Sequence, residues 1–299
     1  LHYGQAIFEG MKAERDADGN PIIFRPLKNW NRFNISADRM AMPSVPQDLF
    51  MNAVDKLVSL DHKWIPDAPN SSLYIRPYMF ATEKFVGIKP AERFTFIIFT
   101  CPVGAYYSRP VKVYIQDKYV RAFPGGTGYA KCAGNYGAVM QPVREIQKQG
   151  YDQILWLDGI HHRYLQEIGT MNIFTIIDGV IITPDTDSGT ILDGITRDSM
   201  IRLAQDEGYL VQERDISIDE VVNAYHEGKL EDMFGTGTAA VISHIGTFHY
   251  KGEDYELPAM ETRKVSTKLK ERFINIKSGK AEDVFNWLHT VPVGVYSNQ

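Results

Sequence analysis

The 299-residue sequence lacks the features that mark several large classes of protein. Its two cysteines, Cys101 and Cys132, cannot form a disulfide framework and are typical of a reducing compartment, so we expect a cytoplasmic protein. No run approaches the roughly 20 apolar residues of a membrane-spanning helix, so we expect no membrane insertion. A net charge of −5, without an extended basic run, argues against nucleic-acid binding.

The length of the chain exceeds what one small core needs, so we expect two domains. Residues 1–105 form the expected small mixed α/β domain, residues 106–118 a short interdomain linker, and residues 119–299 a larger α/β domain. Because Leu1 opens directly into a patterned segment, we expect a preceding piece of chain, and any organellar targeting peptide would belong to that piece.

Periodicity and turn residues predict the main elements. Helical spacing predicts helices over 49–60, 138–149 and 196–207, and another between Trp30 and Met40. Apolar runs predict strands over 22–24, 73–75 and 94–100, and Cys101 continues the last of these as part of a buried strand. The alternation of Val111, Val113 and Ile115 predicts a further, half-buried strand. Asp178-Gly179 predicts a tight hairpin turn, and Ser217 with Glu220 predicts a capping box that opens a helix.

Four polar, glycine-rich stretches lie in the second half of the chain: residues 125–128, 169–172, 194–197 and 235–239. Any one of them could be a plain turn. The stretch 194–197 is more informative because a predicted helix follows it, and free N–H groups at a helix start bind phosphate. None matches a P-loop or a dinucleotide fingerprint. The pattern therefore favours a small phosphorylated cofactor, and no metal site is expected.

Lys131 lies among glycines and alanines in the stretch GYAKCAGNYG. A solvated loop lysine is the ordinary interpretation, and an amine that binds an aldehyde cofactor is the alternative. Glu167 lies between apolar runs and could pair with a pyridine nitrogen, although an exposed edge glutamate is equally open. Tyr136 could hydrogen-bond a phenolic oxygen or be a core tyrosine. An aldehyde, a pyridine nitrogen and one phosphate describe pyridoxal phosphate.

The sequence resembles the class IV (fold-type IV) pyridoxal-phosphate enzymes, and within them the branched-chain amino acid aminotransferases. The long signature from Glu167 to Arg197 fits at every constrained position, and further matches run almost end to end. These matches are at residues 1–12, 24–26, 74–77, 101–104, 134–137 and 234–239. The resemblance implies a small α/β domain and a larger domain with pseudo-barrel sheets. It also implies amino-group transfer between L-leucine, L-isoleucine or L-valine and 2-oxoglutarate, giving L-glutamate and the 2-oxo acids.

The resemblance also implies roles at the cofactor. Lys131 matches the Schiff-base lysine, Glu167 the partner of the pyridine nitrogen, and Tyr136 the partner of the phenolic oxygen. Arg32 matches the phosphate-binding arginine. The remaining matched cofactor positions, most of which hold the phosphate by amide or hydroxyl, are Ile195, Thr196, Gly237 and Thr238.

Further matched positions belong to the substrate site. Tyr74, Ala239 and Ala240 match the site of the α-carboxylate, and Arg76 with Tyr3 matches the group that meets the distal carboxylate of glutamate. The matched side-chain pocket is lined by Phe8, Tyr136, Thr170 and Ala239. Tyr3 and the loop with Val86 and Ile88 match segments that come from, or pack near, a neighbouring subunit, which implies a homodimer.

The chain departs from the family pattern in two respects. The first strands of the family, which add an aromatic wall to the pocket, have no counterpart here. Some members carry a redox Cys-x-x-Cys at a place where this chain has Ala240-Val-Ile-Ser243, so we expect no thiol switch. Two related activities, D-amino-acid aminotransferase and aminodeoxychorismate lyase, would share Lys131 and Glu167. A phosphate-ester-binding module that uses the glycine turns alone is the alternative from another class.

Overall fold

The computed structural model describes residues 2–104 and 109–294, which form two compact units. The first unit comprises the described residues of 1–105, 130–134 and 274–299, and the second those of 106–129 and 135–273. The first unit thus includes two segments that the sequence-based division gave to the large domain. None of the helices within the described ranges is both long and apolar enough to cross a membrane.

The described residues form fifteen strands and seven α-helices. The helices are α1 Pro26–Arg39, α2 Gln47–Asp61, α3 Ala133–Gly137, α4 Met140–Gln147, α5 Ile195–Asp206, α6 Ile218–His226 and α7 Lys264–Lys277. Strands β1 to β8 are Ala6–Phe8, Met11–Arg15, Pro21–Phe24, Ser72–Ala81, Phe94–Val103, Val111–Gln116, Gln153–Leu157 and Leu165–Ile168. Strands β9 to β15 are Met171–Ile177, Val180–Thr183, Val211–Glu213, Leu230–Gly237, Val241–Tyr250, Glu253–Glu256 and Leu288–Thr290.

The first unit is an antiparallel sheet with two helices packed on it. The strand order is β1-β4-β2-β3-β15, and β5 pairs with β4 along its whole length. Helices α1 and α2 bury their apolar faces against the sheet through residues such as Phe33, Phe50 and Val54. Pro26 at the start of α1 has a fixed φ suited to a first helical turn. The two helices and three strands predicted in this region are confirmed.

The second unit contains a closed six-stranded barrel. Strands β9, β12, β13, β6, β7 and β8 pair in that order, and β8 pairs back to β9. Closure leaves none of these six strands with an unpaired edge, and β10, β11 and β14 extend the sheet from β9 and β13. The predicted pseudo-barrel sheet is confirmed.

Two local predictions in the second unit are confirmed. Asp178 and Gly179 have φ of 50° and 75° and join β9 to β10, as a two-residue hairpin turn with positive φ at both positions requires. Ser217 accepts a hydrogen bond from the amide of Glu220 and caps α6. Both features could be predicted from the sequence because each depends only on a few adjacent residues.

Two expectations differ from the structure. Cys101 lies in β5 as predicted but is exposed, because side chains alternate along a strand and Cys101 shares the outer face of β5 with the exposed Ile97 and Phe99. Residues 111–116 form β6 within the barrel, so the strand predicted from the alternation of Val111, Val113 and Ile115 is confirmed, although the division into domains counted these residues in the linker. Residues 106–108 of the predicted linker, and residue 105 before it, lie outside the described residues.

Candidate active site

Lys131 lies in the segment Ala130–Gly134, which belongs to the first unit. The backbone of this segment is held against β1, because the amide of Phe8 donates to the carbonyl of Lys131 at 3.1 Å and Ile7 forms a bridge with Cys132. Cys132 is buried in the core of the first unit. The lysine is therefore carried by a fixed backbone and not by a solvated loop.

An aromatic ring lies beside two cationic side chains near Lys131. The Nζ of Lys131 is 4.9 Å from the centre of the Phe8 ring, and the guanidinium of Arg76 is 4.5 Å from the same centre. Arg76 also donates from Nη2 to the hydroxyl of Tyr74 at 2.9 Å. Tyr74 and Arg76 share one face of β4 because side chains two residues apart in a strand point the same way. The structure thus brings together Lys131, Phe8, Tyr74 and Arg76.

Arg32 is paired with a buried carboxylate that the sequence analysis did not single out. Glu9 is fully buried and binds Arg32 in two places, Nε to Oε1 at 2.7 Å and Nη2 to Oε2 at 2.9 Å. Asn29 donates to the same carboxylate at 2.7 Å. A two-point pair of this kind fixes both the position and the plane of the guanidinium. Arg32, the predicted phosphate ligand, is therefore held by Glu9.

The charge of Glu9 is maintained by its neighbours. Burial is the largest influence and raises the pKa of the Glu9 carboxyl. The Arg32 ion pair and hydrogen bond, the charge of Lys131 and the Asn29 hydrogen bond together outweigh it and hold the pKa below its ordinary value. The folded protein consequently keeps Glu9 ionised.

Replacing Glu9 with glutamine is expected to destabilise the fold, because Arg32 is left buried without its counter-charge. Breaking one side of a buried ion pair costs about 3–5 kcal/mol. The folded-state pKa of Glu9 lies below the unfolded one, so its contribution is complete above the ordinary glutamate pKa and disappears as the pH falls through the folded-state value. Urea unfolding of both proteins across acidic and neutral pH measures this.

The exposed pair of Glu227 and Lys229 provides the matched control, because solvent screens that pair and Glu227→Gln should change stability much less than Glu9→Gln. The difference in free energy of unfolding between wild type and Glu9→Gln should stay constant above pH about 5 and become smaller below it. The role given to Glu9 would be contradicted if Glu9→Gln lowered the free energy of unfolding no more than Glu227→Gln does. It would also be contradicted if the difference from wild type became larger at acidic pH.

Tyr3, Val86 and Ile88 lie together on the surface of the first unit. The hydroxyl of Tyr3 donates to the carbonyl of Val86, so the N-terminal segment and the loop are joined. Val86 is 78% exposed and Ile88 is 88% exposed, although both are apolar. An apolar loop tip of this kind is suited to contact with another molecule.

In the second unit, Glu167 lies in β8 and is buried. Its Oε1 accepts from the Nη2 of Arg121 at 2.9 Å and from the amide of Leu192 at 2.8 Å. The same Nη2 of Arg121 donates to the carbonyls of Gly128 and Thr190. The alternative of an exposed edge glutamate is thereby excluded, and the carboxylate has a fixed orientation.

Helix α5 of the second unit begins at Ile195, and its N-cap residue, Gly194, provides no side-chain cap. A Cβ at Gly194 would lie 1.9 Å from the Oδ1 of Asn172, so glycine is needed for the helix start to approach β9. Ile195 and Thr196, the first two helical residues, are buried there. The arrangement provides the positive end of a helix and a hydroxyl, as the predicted phosphate site requires.

The remaining predicted residues of the second unit lie on turns and on α3. Thr238, Ala239 and Ala240 form the turn between β12 and β13, and Gly237 ends β12. Val241 follows with φ of 61°, which a β-branched residue rarely adopts and which is typical of functional turns. The turn between β8 and β9 is formed by Gly169 and Thr170. Tyr136 lies on α3.

The structure thus forms two groups of site residues, each within one unit. The first unit holds Tyr3, Phe8, Arg32, Tyr74, Arg76, Val86, Ile88 and Lys131. The second holds Tyr136, Glu167, Thr170, Ile195, Thr196, Gly237, Thr238, Ala239 and Ala240. Sequence reasoning missed Glu9 and Arg121, which hold Arg32 and Glu167. A charged residue between Phe8 and Gly10 in an otherwise apolar segment was a usable signal for Glu9, whereas the local pattern around Arg121 offers none.

Comparison with known proteins identifies the family of the chain. The model of the family described as "Amino-transferase class IV" matches residues 6–246. A probable branched-chain-amino-acid aminotransferase of Staphylococcus epidermidis is 44% identical over 296 residues, covering 98% of this chain and 82% of that protein. Branched-chain-amino-acid transaminase 1 of Bacillus subtilis is 46% identical over 291 residues, covering 96% and 82%.

Solved structures are similar as well. The branched-chain aminotransferase of the archaeon Thermoproteus uzoniensis, with norvaline, has a TM-score of 0.82 and 27% identity, covering 98% of this chain and 92% of that one. The fold and sequence therefore define a class IV aminotransferase, and the chain belongs to that family. Within it, the chain belongs with the branched-chain-amino-acid aminotransferases.

Proposed function

We propose that this enzyme transfers the amino group of leucine, isoleucine and valine to 2-oxoglutarate, with pyridoxal phosphate bound to Lys131. The observation that carries the proposal is the buried Glu167 carboxylate, oriented by Arg121 and by the Leu192 amide. Solved branched-chain amino acid aminotransferases of similar fold contain 4-methylvaleric acid and N-(5′-phosphopyridoxyl)-L-glutamate. The first ligand has an aliphatic chain like that of leucine, and the second carries glutamate. Another contains pyridoxamine 5′-phosphate, the aminated form of the cofactor.

The residues present fit pyridoxal phosphate. Lys131 supplies a primary amine for the aldehyde, and Glu167 a carboxylate for the pyridine nitrogen. Tyr136 would meet the phenolic oxygen. Arg32 and the start of α5 with Thr196 provide cationic, amide and hydroxyl donors for one phosphate. When bound, the cofactor supplies an electron sink for the substrate carbon.

In this proposal Lys131 moves the proton. Its Nζ would take the proton from the α-carbon of the amino acid and hold it for return to the product. The hydrogen bond from the Phe8 amide to the Lys131 carbonyl fixes the backbone from which the Lys131 side chain extends. Glu167 keeps its partner nitrogen protonated throughout, because its carboxylate is oriented by Arg121 and does not have to reorganise.

The substrate site must accept an aliphatic side chain and a carboxylate in turn. Phe8 supplies an apolar face, and Arg76 lies against that face with its guanidinium. The Nε of Arg76 is buried and has no hydrogen-bond partner in the described part of the protein. Tyr74 and the turn with Ala239 and Ala240 are assigned to the α-carboxylate. A guanidinium with an unused donor beside an aromatic wall suits both kinds of side chain.

Arg76→Gln is expected to separate the two half-reactions. A charge-assisted hydrogen bond contributes about 1.5–3 kcal/mol, so kcat/KM for glutamate should fall roughly 10- to 150-fold. The half-reaction with L-leucine should change by no more than about threefold, because leucine has no distal carboxylate. Single-turnover absorption measurements with each amino acid check this. Equal losses for both amino acids would contradict the assignment of Arg76.

A homodimer is part of the proposal, with Tyr3, Val86 and Ile88 directed to a neighbouring subunit. The exposure of Val86 and Ile88 supports it, as does the apolar outer face of β5 with Ile97 and Phe99. A cytoplasmic location is also proposed, because both cysteines are free.

A panel of three substrates tests the proposed function against its relatives. The purified enzyme with pyridoxal phosphate should convert L-leucine with 2-oxoglutarate and should give little turnover with D-alanine or aminodeoxychorismate. Preference for D-alanine, or conversion of aminodeoxychorismate, would reject the branched-chain assignment. A protein that binds phosphate esters without any of these reactions would reject enzymatic function altogether.

A further inference from the structure

Helix α1 carries polar residues on its buried face. Asn29, Arg32 and Ser36 are three and four residues apart, so they share a face with the apolar Phe33 and Ala37. Asn29 and Arg32 both bind Glu9. Ser36 has 0% exposure, and the partners of its buried hydroxyl lie elsewhere than at the Glu9 carboxylate.

The hydroxyl of Ser36 forms two hydrogen bonds of different kinds. Its Oγ donates to the carbonyl of Arg32, one turn earlier in α1, at 3.0 Å. The same Oγ accepts from the amide of Lys131 at 2.9 Å, across 95 residues of sequence. A serine hydroxyl has one hydrogen to give, so the first bond orients the oxygen lone pairs that receive the second.

These bonds complete a closed ring of contacts in the first unit. The Lys131 amide binds Ser36, Ser36 binds the Arg32 backbone, and the Arg32 side chain binds Glu9. Glu9 follows Phe8, whose amide donates to the Lys131 carbonyl and so returns to the lysine. Lys131 is thus held on both sides of its peptide, by Ser36 at the amide and by Phe8 at the carbonyl.

We propose that Ser36 is a positioning residue that sets the location of the Lys131 amine relative to the Arg32 guanidinium. This inference rests on the proposed function, in which the lysine binds the aldehyde and the arginine binds the phosphate of one cofactor. A misplacement of a reacting group by about 1 Å can cost about 10²-fold in rate. A hydroxyl that ties the two backbones together prevents such a shift, and an ordinary helix serine has no such effect.

The test compares Ser36→Ala with Ser36→Thr, which keeps the hydroxyl. In the holoenzyme, Ser36→Ala should lower kcat for L-leucine roughly 10- to 100-fold while KM changes by no more than about threefold. The pH dependence of the visible absorption of the bound cofactor should also shift, because the lysine amine that binds it is displaced. Ser36→Thr should restore most of kcat.

Ser278→Ala is the matched control, because Ser278 also donates to a carbonyl one helical turn earlier, that of Ile274, but has no link to Lys131. It should show the effect of losing only the hydrogen bond to the helix carbonyl, and it should leave kcat and the absorption titration unchanged. Ser36→Ala with unchanged kcat and an unchanged titration would overturn the inference, even if its melting temperature fell. If Ser36→Thr does not fold, the comparison of Ser36→Ala with Ser278→Ala decides alone. A wild-type enzyme inactive on L-leucine would instead reject the proposed function.

Discussion

Lys131→Ala is expected to abolish turnover of L-leucine with 2-oxoglutarate while leaving the fold intact. The side chain supplies both the covalent attachment of the cofactor and the group that moves the substrate proton. Loss of general acid–base catalysis alone costs about 10²–10⁴-fold, and loss of the attachment adds to it. The backbone contacts of residue 131, through its amide and carbonyl, do not need the side chain, so the segment should stay in place.

Steady-state assays measure the loss, and circular dichroism with thermal unfolding measures the fold. Lys229→Ala, at an exposed lysine of the second unit, is the control and should retain full activity. Borohydride treatment of the wild type should attach the cofactor to Lys131 and to no other lysine. Appreciable multiple turnover by the Lys131→Ala variant would refute the assignment of this residue.

Glu167→Gln is expected to have the second-largest effect. Glutamine keeps the size of the side chain, and its carbonyl oxygen can still accept from the Leu192 amide. The buried Arg121 loses its counter-charge, so the variant should be less stable than wild type, and circular dichroism checks that it is folded under the assay conditions. The negative charge that keeps the pyridine nitrogen protonated is lost. Removal of one preorganised electrostatic partner typically costs about 10²–10³-fold in kcat.

Single-turnover kinetics with L-leucine and the absorption spectrum of the bound cofactor are the measurements for Glu167→Gln. Glu231→Gln, at an exposed glutamate of β12, is the control and should behave as wild type in both. A kcat within about twofold of wild type in Glu167→Gln would show that this carboxylate does not support the reaction.

Features with local chemistry were predictable from the sequence. The hairpin at Asp178-Gly179 and the cap at Ser217 each depend on a few adjacent residues, and both are present. Helices α1 and α2 followed from their periodic apolar faces. The barrel followed from the family resemblance, because a sheet that closes through β8 and β9 leaves no mark in the spacing of apolar residues.

Features that depend on distant partners were not predictable. Glu9 and Arg32 lie 23 residues apart, Ser36 and Lys131 lie 95 apart, and Arg121 and Glu167 lie 46 apart. Neither member of such a pair reveals the other in a single sequence. Cys101 was predicted to be buried because its neighbours in sequence are apolar. It lies on the outer face of β5 with Ile97 and Phe99 and is exposed, and the sequence alone does not show which face of a strand is covered.

Addition of L-leucine alone to the purified holoenzyme is the most direct test of the central claim. The absorption of the lysine-bound cofactor should disappear, and 4-methyl-2-oxopentanoate should appear in equal amount to the enzyme sites, without any 2-oxoglutarate present. Subsequent addition of 2-oxoglutarate should restore the original spectrum and release glutamate. An unchanged spectrum on adding L-leucine, with no 2-oxo acid formed, would contradict the claim that this chain is a branched-chain aminotransferase acting through Lys131.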